Sequence, residues 1–279
     1  MRSLLLAVVA VVLVAPTAPA QELRDYQVGR GRRSEQNLRA IIDFAAGDLF
    51  IRQTSDRSLF RMDLKYDPDR YRPIDSWDAD RRTVRLGVDK RSERDSWPRK
   101  DPLTQRAVIE LSPDVDLTLE ANLGATESSL ELGGLRLEDL LLTTGASDTE
   151  LRFSKPNRML CRRAQVTTGA AAFVASEMGN AGCRTWLIEG GVGQVRLDLD
   201  GEWPEDARMQ IRMTMGEIRL EAPRSLGLRI TMDRFLASFS HAGFSRSGKT
   251  YVSDNYERAS RKIDLDIETT LGNVKVEWK

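Results

Sequence analysis

The stretch Gly190–Gly201 reads GGVGQVRLDLDG and joins a glycine-rich turn to a run in which apolar and polar residues alternate. Alternation with a period of two is typical of a β-strand with one buried face. Glycine at the turn indicates a corner that needs positive φ or a close backbone approach. A tight corner followed by a half-buried strand therefore predicts all-β structure in this part of the chain.

The same unit recurs on both sides of this stretch. Its anchor glycines are Gly124, Gly145, Gly169, Gly191 and Gly216, which lie 21, 24, 22 and 25 residues apart, and a last instance contains Gly272. One coil of short strands per 21–25 residues predicts a single β-solenoid, whose stacked coils share a continuous core. The alternative is a β-sandwich of antiparallel hairpins with two turn signals in each unit.

The cysteines add a test of this periodicity. Cys161 lies eight residues before Gly169, and Cys183 lies eight residues before Gly191. Stacked strands are about 4.8 Å apart, which is within the Cα separation that a disulfide needs. We therefore expect Cys161 and Cys183 to be adjacent and disulfide-bonded. The alternative is a pair of reduced cysteines stacked in the core.

The first twenty residues predict export. Arg2 is followed by the apolar run Leu4–Val14, and Ala18-Pro19-Ala20 supplies small residues for cleavage before Gln21. An uncleaved anchor is the alternative, although a membrane span needs about 20 apolar residues. No later segment predicts a transmembrane helix. We expect a periplasmic or extracellular protein that is associated with the cell envelope, with no integral membrane segment after signal cleavage.

The predicted organisation of the chain has four parts. They are a signal peptide (1–20), a flexible lead-in (21–37), an N-terminal β part (38–111) and solenoid repeats continuous with it (112–279). The N-terminal β part is expected to contain two long surface loops, at 67–82 and 90–101, because both stretches are polar and contain proline.

Composition gives little support for catalysis or for a charged partner. The 42 basic and 42 acidic residues cancel, so nothing favours nucleic acid as a partner. His241 is the only histidine, and it cannot form a His/Cys zinc site with two paired cysteines. Gly190–Gly193 lacks the third glycine of a dinucleotide-binding loop, since position 196 is arginine. We expect no metal and no cofactor.

Carboxylates are the remaining candidates for chemistry. Asp198, Asp200 and Glu202 alternate along one strand, and acids on one strand face can have the spacing of a glycoside hydrolase pair. Outward acids between outward arginines are, however, typical of a solvated face. The sequence therefore predicts no catalytic residue and a protein that is not an enzyme, with a glycoside-active enzyme as a remote alternative.

Tryptophans give a milder hypothesis. Trp77 and Trp97 fall in the predicted loops, and Trp203 follows the predicted strand that contains Asp198, Asp200 and Glu202. Exposed indole rings beside acids and arginines could stack on sugar rings, so these three residues are candidate glycan contacts. Trp186 is expected to cover the core instead.

Several phrases resemble the toast-rack domain. Ala46–Leu49 and Leu64–Asp67 are similar to its start, and Leu130–Leu141, Thr143–Ser147 and Gly190–Gly201 to later parts. LiaF-like cell-envelope response proteins carry a similar domain at their C-terminus. The resemblance implies a bacterial, envelope-associated, solenoid-like protein without known catalytic residues. The sequence shows no counterpart of the N-terminal membrane bundle of LiaF-like proteins, so we do not expect this chain to act as a membrane-embedded sensor partner.

These observations favour an exported, non-enzymatic scaffold or an adhesin-like, protein-binding module. The expected partner is an envelope protein or a cell-wall polymer, and the alternative is a glycan-binding module that uses the loop tryptophans. The C-terminal strand Asn273–Trp278 is expected to be an exposed edge, which would allow homotypic end-to-end association.

Overall fold

The computed structural model describes residues 22–91, 105–240 and 242–279. The predicted signal peptide, Trp97 and His241 lie outside these residues, so the expectations about them stay predictions. The strands are β1 (Arg24–Gly31), β2 (Asn37–Gln53), β3 (Ser58–Tyr66), β4 (Tyr71–Asp78), β5 (Thr83–Lys90), β6 (Arg106–Leu111), β7 (Asp116–Glu131), β8 (Arg136–Thr144), β9 (Asp148–Arg152), β10 (Cys161–Ser176), β11 (Cys183–Asp198), β12 (Ala207–Ala222), β13 (Leu226–Ser240), β14 (Phe244–Ser247), β15 (Thr250–Ser253) and β16 (Arg261–Trp278). Single 3₁₀ turns lie at Met178–Ala181 and Tyr256–Arg258.

Parallel stacking of the strands produces a β-solenoid. The order through the stack is β6–β2–β7–β8–β10–β11–β12–β16–β13, and each neighbouring pair is parallel. Strand β5 shares a layer with β6, and β9 shares a layer with β8. The all-β solenoid prediction is therefore confirmed. The antiparallel sandwich is excluded, because its hairpins would pair neighbouring strands in opposite directions.

Alternation along each strand builds one continuous core. In β10, for example, Ala164, Val166 and Thr168 are buried, while Gln165 and Thr167 between them are partly exposed. Trp186 is fully buried and meets Phe153 edge to face, with ring centroids 6.2 Å apart. No single layer could bury its apolar face alone, so the stability of each layer depends on its neighbours.

The repeat glycines form two columns, and the expected single column is wrong. Gly193 and Gly216 are register partners, and Gly216 pairs in turn with Gly272. Gly191 lies in a neighbouring column, where a Cβ on it would lie 2.7 Å from the carbonyl oxygen of Gly169. Gly191 and Gly216 therefore occupy different positions in their coils, and the 25 residues between them are not one repeat length.

The expected stacking of the cysteines is confirmed. Cys161 and Cys183 are register partners in β10 and β11, with Cα atoms 4.2 Å apart, and they form a disulfide across 22 residues. Both side chains are buried. The bond therefore ties together two consecutive layers in the middle of the solenoid.

The N-terminal part is more regular than the sequence predicts. The expected flexible lead-in at 21–37 contains β1, which pairs antiparallel with β3 along its whole length. The expected loop at 67–82 contains β4, which pairs with β5. Strands β2, β5 and β6 also belong to the stack, so the solenoid extends well before residue 112. The sequence did not predict β1, because most of its side chains are polar or charged and it buries little apolar surface.

Both ends of the stack are closed by antiparallel strands, with β1–β3 packed on β6 at one end and β15–β14 on β13 at the other. The expectation that Asn273–Trp278 is an exposed edge is wrong. This segment belongs to β16, which is inserted between β12 and β13. Its Trp278 packs on Phe244 with ring centroids 5.4 Å apart. Strand β13 does not pair with β12, and β16, the last long strand of the chain, occupies the layer between them.

The buried disulfide makes a direct prediction. Denatured, unreduced protein should show no reactive thiol, because Cys161 and Cys183 are the only cysteines. The double variant Cys161→Ala, Cys183→Ala should unfold at a lower denaturant concentration. Its free energy of unfolding should fall by about 3 kcal/mol according to the chain-entropy model. A thiol titration in denaturant and equilibrium unfolding measure these two quantities. Two thiols reacting without a reductant would contradict the bond.

The second glycine column predicts a sharp contrast between two glycines. A Cβ on Gly272 would lie 1.8 Å from the carbonyl oxygen of Gly216, and its φ is +137°. We expect Gly272→Ala to lower the free energy of unfolding by about 3 kcal/mol or more. Gly190→Ala is the matched control, because its Cβ would meet only ordinary contacts at 3.4 Å and beyond. Equal denaturation curves for the two variants would show that the column tolerates side chains.

Candidate functional site

One column of outward polar side chains follows the axis of the solenoid. Its members are register partners from strand to strand: Asp43, Asn122, Thr143, Thr167, Glu189, Arg212, Glu268 and Asp233. These residues lie just before the corner in strands β2, β7, β8, β10, β11, β12, β16 and β13. We call this row the groove column, because the surface beside it is depressed.

Two cavities lie along the groove column. The first has a volume of about 650 Å³ and is lined by residues of β10, β11, β12, β16 and β13. The second has a volume of about 860 Å³ and is lined by residues of β2, β4, β5, β7 and β8. Since β8 and β10 are paired strands, the two cavities occupy adjoining parts of the same face.

Missing side chains deepen the first cavity. Gly190 and Gly191 lie on consecutive positions of β11, so neither position contributes a side chain to the floor. Around this floor lie Thr168 from the preceding strand and Met213 from the following one. Gly191, where a Cβ would lie 2.7 Å from the carbonyl oxygen of Gly169, and its neighbour Gly190 thus leave room for a ligand.

The charges along the groove column are balanced by pairing. Arg212 lies between Glu189 and Glu268, at 3.4 Å from each carboxylate. At the other end Asp43 accepts a hydrogen bond from Arg85 at 2.7 Å and another from the amide of Asn122 at 2.9 Å. The hydrogen bond to Asp43 raises the pKa of the Arg85 guanidinium above its ordinary value. The groove therefore presents charged groups that ion pairs and hydrogen bonds hold in place.

Apolar side chains border the groove on the other side of the corner. They occupy the register partners Ala170, Val192, Met215, Leu271 and Leu236 in five neighbouring strands. Val192, Met215 and Leu236 are 52%, 44% and 65% exposed. We call this row the apolar ridge. Large aliphatic side chains that are aligned and exposed in this way mark an interaction surface more often than a scattered apolar residue does.

Sequence reasoning missed the groove and the ridge, although a signal for the ridge was present. An apolar residue lies next to each of these corner glycines: it follows the glycine in Gly169-Ala170 and Gly191-Val192, and it precedes the glycine in Met215-Gly216 and Leu271-Gly272. Alternation alone assigns such a residue to one strand face or the other. Only the register shows that these residues stack in a single exposed row.

The structure describes two of the three candidate tryptophans and places them differently. Trp203 is 7% exposed, and its indole N–H donates to the carbonyl oxygen of Leu199 at 2.8 Å. Its ring lies in the core, so the expectation of a surface ring there is corrected. Trp77 is half-buried, between Phe60 at 5.8 Å and the guanidinium of Arg30 at 4.8 Å. Neither tryptophan lies beside the first cavity.

The alternating acids Asp198, at the end of β11, and Asp200, just beyond it, are already paired. The ammonium group of Lys279 lies 2.8 Å from Asp198 and 2.7 Å from Asp200. Burial opposes the charge of Lys279, but its hydrogen bonds to the two carboxylates outweigh that effect and raise its pKa. This pairing fixes β16 against β11 and leaves the two acids poorly suited to act as a catalytic pair.

Two further features bear on the class of site. Within residues 22–91, 105–240 and 242–279, no group of three or more His, Cys, Asp or Glu side chains is arranged to hold a metal ion. In the same parts of the chain, none of the helices has the length and hydrophobicity of a membrane span.

Comparison with solved structures gives distant matches over most of the chain. A proposed cell adhesion protein from Clostridium sporogenes is 15% identical, with a TM-score of 0.47, 92% of this chain covered and 100% of the other. A proposed adhesin from Bacteroides fragilis is 12% identical, with a TM-score of 0.45 and coverage of 93% and 99%. At these identities and TM-scores, the similarities do not establish a shared function.

Comparison of sequences gives a clearer assignment. No curated protein matches this chain significantly. The similarity to LiaF-like proteins stays a prediction. A family model described as the N-terminal domain of toast_rack, DUF2154, matches residues 20–174, which is more than half of the chain. The resemblance seen in the sequence is thereby confirmed, and the chain belongs to the toast-rack family.

Proposed function

We propose that this protein is an exported, non-enzymatic β-solenoid that acts as an adhesin-like binding module or scaffold of the cell envelope. The observation that carries the proposal is the apolar ridge beside the groove column. The side chains of Val192, Met215 and Leu236 are exposed to water, and their burial against a partner would lower the free energy of the system. The groove and the ridge together are the face that meets the partner.

The rigidity of the stack supports a binding role. Strands β10, β11, β12 and β16 are each paired on both sides, so they hold the groove and the ridge in fixed register. A surface that is ordered before binding loses little conformational entropy when it binds. An extended partner could therefore contact several layers at once.

Two observations support export. Residues 1–20 have the pattern of a signal peptide, and Cys161 and Cys183 form a buried disulfide. Structural disulfides form and persist in oxidising compartments and are rare in the cytosol. Both observations favour a protein that folds outside the cytoplasm.

A non-enzymatic role is supported by the state of the candidate acids. Asp198 and Asp200 are bound by Lys279, and the only histidine of the chain is His241. In the glycan-binding alternative, Trp77 and Trp97 stay candidate contacts, but Trp203 is buried in the core and is no longer one. The tryptophan loops are thus a weaker basis for function than the groove and the ridge.

Export predicts a defined mature N-terminus. Expression of the full chain in a bacterial host with a secretory pathway should yield a product that begins at Gln21, outside the cytoplasm. N-terminal sequencing and cell fractionation measure this outcome. A cytoplasmic product that retains Met1 would contradict the proposal of export.

The ridge predicts how binding can be removed. The triple variant Val192→Ser, Met215→Ser, Leu236→Ser should keep its fold, because these side chains are largely exposed. Its sedimentation with purified cell envelopes should fall more than about tenfold relative to mature wild-type protein, since each buried aliphatic side chain contributes about 1.5–3 kcal/mol. Leu160→Ser is the matched control, because Leu160 is 46% exposed and lies away from the ridge. Equal sedimentation of all three proteins would overturn the assignment of this face.

A further inference from the structure

We propose that the groove around Gly190 and Gly191 binds a neutral polysaccharide strand that lies along the solenoid axis. This inference rests on the proposed binding role of the groove and the ridge, and it names the chemical class of the ligand. The carrying observation is a cavity of about 650 Å³ with threonine hydroxyls and fixed charges around a glycine floor, beside an aliphatic row.

The shape of the groove favours a linear polymer. The groove column crosses the strands from β2 to β13, which at about 4.8 Å per strand corresponds to roughly 34 Å. The two cavities lie next to each other along this column, one on strands β2 to β8 and the other on strands β10 to β13. A small ligand needs an enclosed pocket to bury most of its surface, whereas a polymer gains contacts layer by layer.

The hydrogen-bonding groups of the first cavity match those of a sugar. Five threonines line it: Thr167, Thr214 and Thr270 reach the surface and can present their hydroxyl groups to a ligand, whereas Thr168 and Thr269 are buried. Hydroxyls donate and accept, the carboxylates of Glu189 and Glu268 accept, and the guanidinium of Arg212 donates. Sugar hydroxyls are themselves both donors and acceptors, so they can satisfy every one of these groups.

The apolar ridge supplies the second half of sugar recognition. A pyranose ring has an apolar face made of C–H groups beside its ring of hydroxyls. Val192 and Met215 are aligned on the two strands that contribute the floor and one wall of the cavity. A strand lying in the groove could therefore hydrogen-bond on one side and bury its C–H faces on the other.

Charge and backbone pairing argue against two other polymers. The lining of the first cavity contains Glu189, Asp233 and Glu268 but only Arg212 as a cation, so polyanions are disfavoured. An extended peptide usually binds by adding a strand to a free sheet edge. Strands β10, β11, β12 and β16 are paired on both sides here, and they offer no such edge to a peptide in the groove.

The test uses the mature chain and neutral linear oligosaccharides as probes. Cellohexaose, chitohexaose and mannohexaose, with their disaccharides, are titrated calorimetrically into wild-type protein and two double variants. We expect at least one hexasaccharide to bind at least about tenfold more tightly than its disaccharide. The variant Glu189→Gln, Glu268→Gln should weaken it by about tenfold or more, because charge-assisted hydrogen bonds are lost. Glu127→Gln, Glu150→Gln is the matched control, with two exposed acids outside the groove.

A space-filling variant provides a second, independent readout. Gly190→Ala fits ordinary contacts with Thr168 and Met213 at 3.4 and 3.5 Å, so it should keep the fold and report on stability. Gly190→Val adds further methyl groups at the cavity floor and should reduce hexasaccharide binding more than Gly190→Ala does. A thermal melting curve of each variant checks that it is folded. Unchanged binding in both the carboxamide and the valine variants would overturn the site.

The remaining outcomes separate this inference from the proposed function. If no neutral hexasaccharide binds wild-type protein at about 1 mM, or if heparin binds in the groove instead, the polysaccharide inference is wrong. Ridge-dependent sedimentation with cell envelopes would then still support a binding module with a different partner. Loss of both results would overturn the role of the whole face.

Discussion

The close approach of parallel strands at the glycine corner is the constraint on which the rest of this structure depends. At Gly216 and Gly272 the backbone of one layer lies where a side chain of the next would have to be, with a would-be Cβ 1.8 Å from a carbonyl oxygen. Stacking at this distance fixes the register of β12 on β16. That register in turn decides which outward residues form rows along the axis.

Closure of the stack follows from how the chain enters and leaves it. Near the first end, β2 pairs with β6 on one side and with the later strand β7 on the other. Near the second end, β13 precedes β16 in the chain, and β16 then pairs with β12 on one side and with β13 on the other. The strand edges that a solenoid exposes are covered by antiparallel pairs. Lys279 adds a local tie, because it directly follows β16 and pairs with Asp198, the last residue of β11, and with Asp200 just beyond that strand.

The binding face combines two chemistries that one corner separates. Before the corner, the groove column carries hydroxyls, amides and paired charges; after it, the ridge carries aliphatic groups of increasing size from Ala170 through Val192 to Met215. The parallel sheet holds both rows in register over several layers. A ligand with polar and apolar sides fits such a face better than a uniformly charged or uniformly apolar one does.

The sequence by itself determined the strand class, the repeat, the position of the corners and the pairing of Cys161 with Cys183, because alternation, glycine spacing and the distance between stacked strands are local properties. It also determined membership of the toast-rack family. Only the tertiary structure decided that Gly216 aligns with Gly193, that β16 lies inside the stack and that Trp203 is buried. Pairing between strands distant along the chain sets these features, and so the groove and the ridge, which exist only across layers, could not be predicted from any one segment.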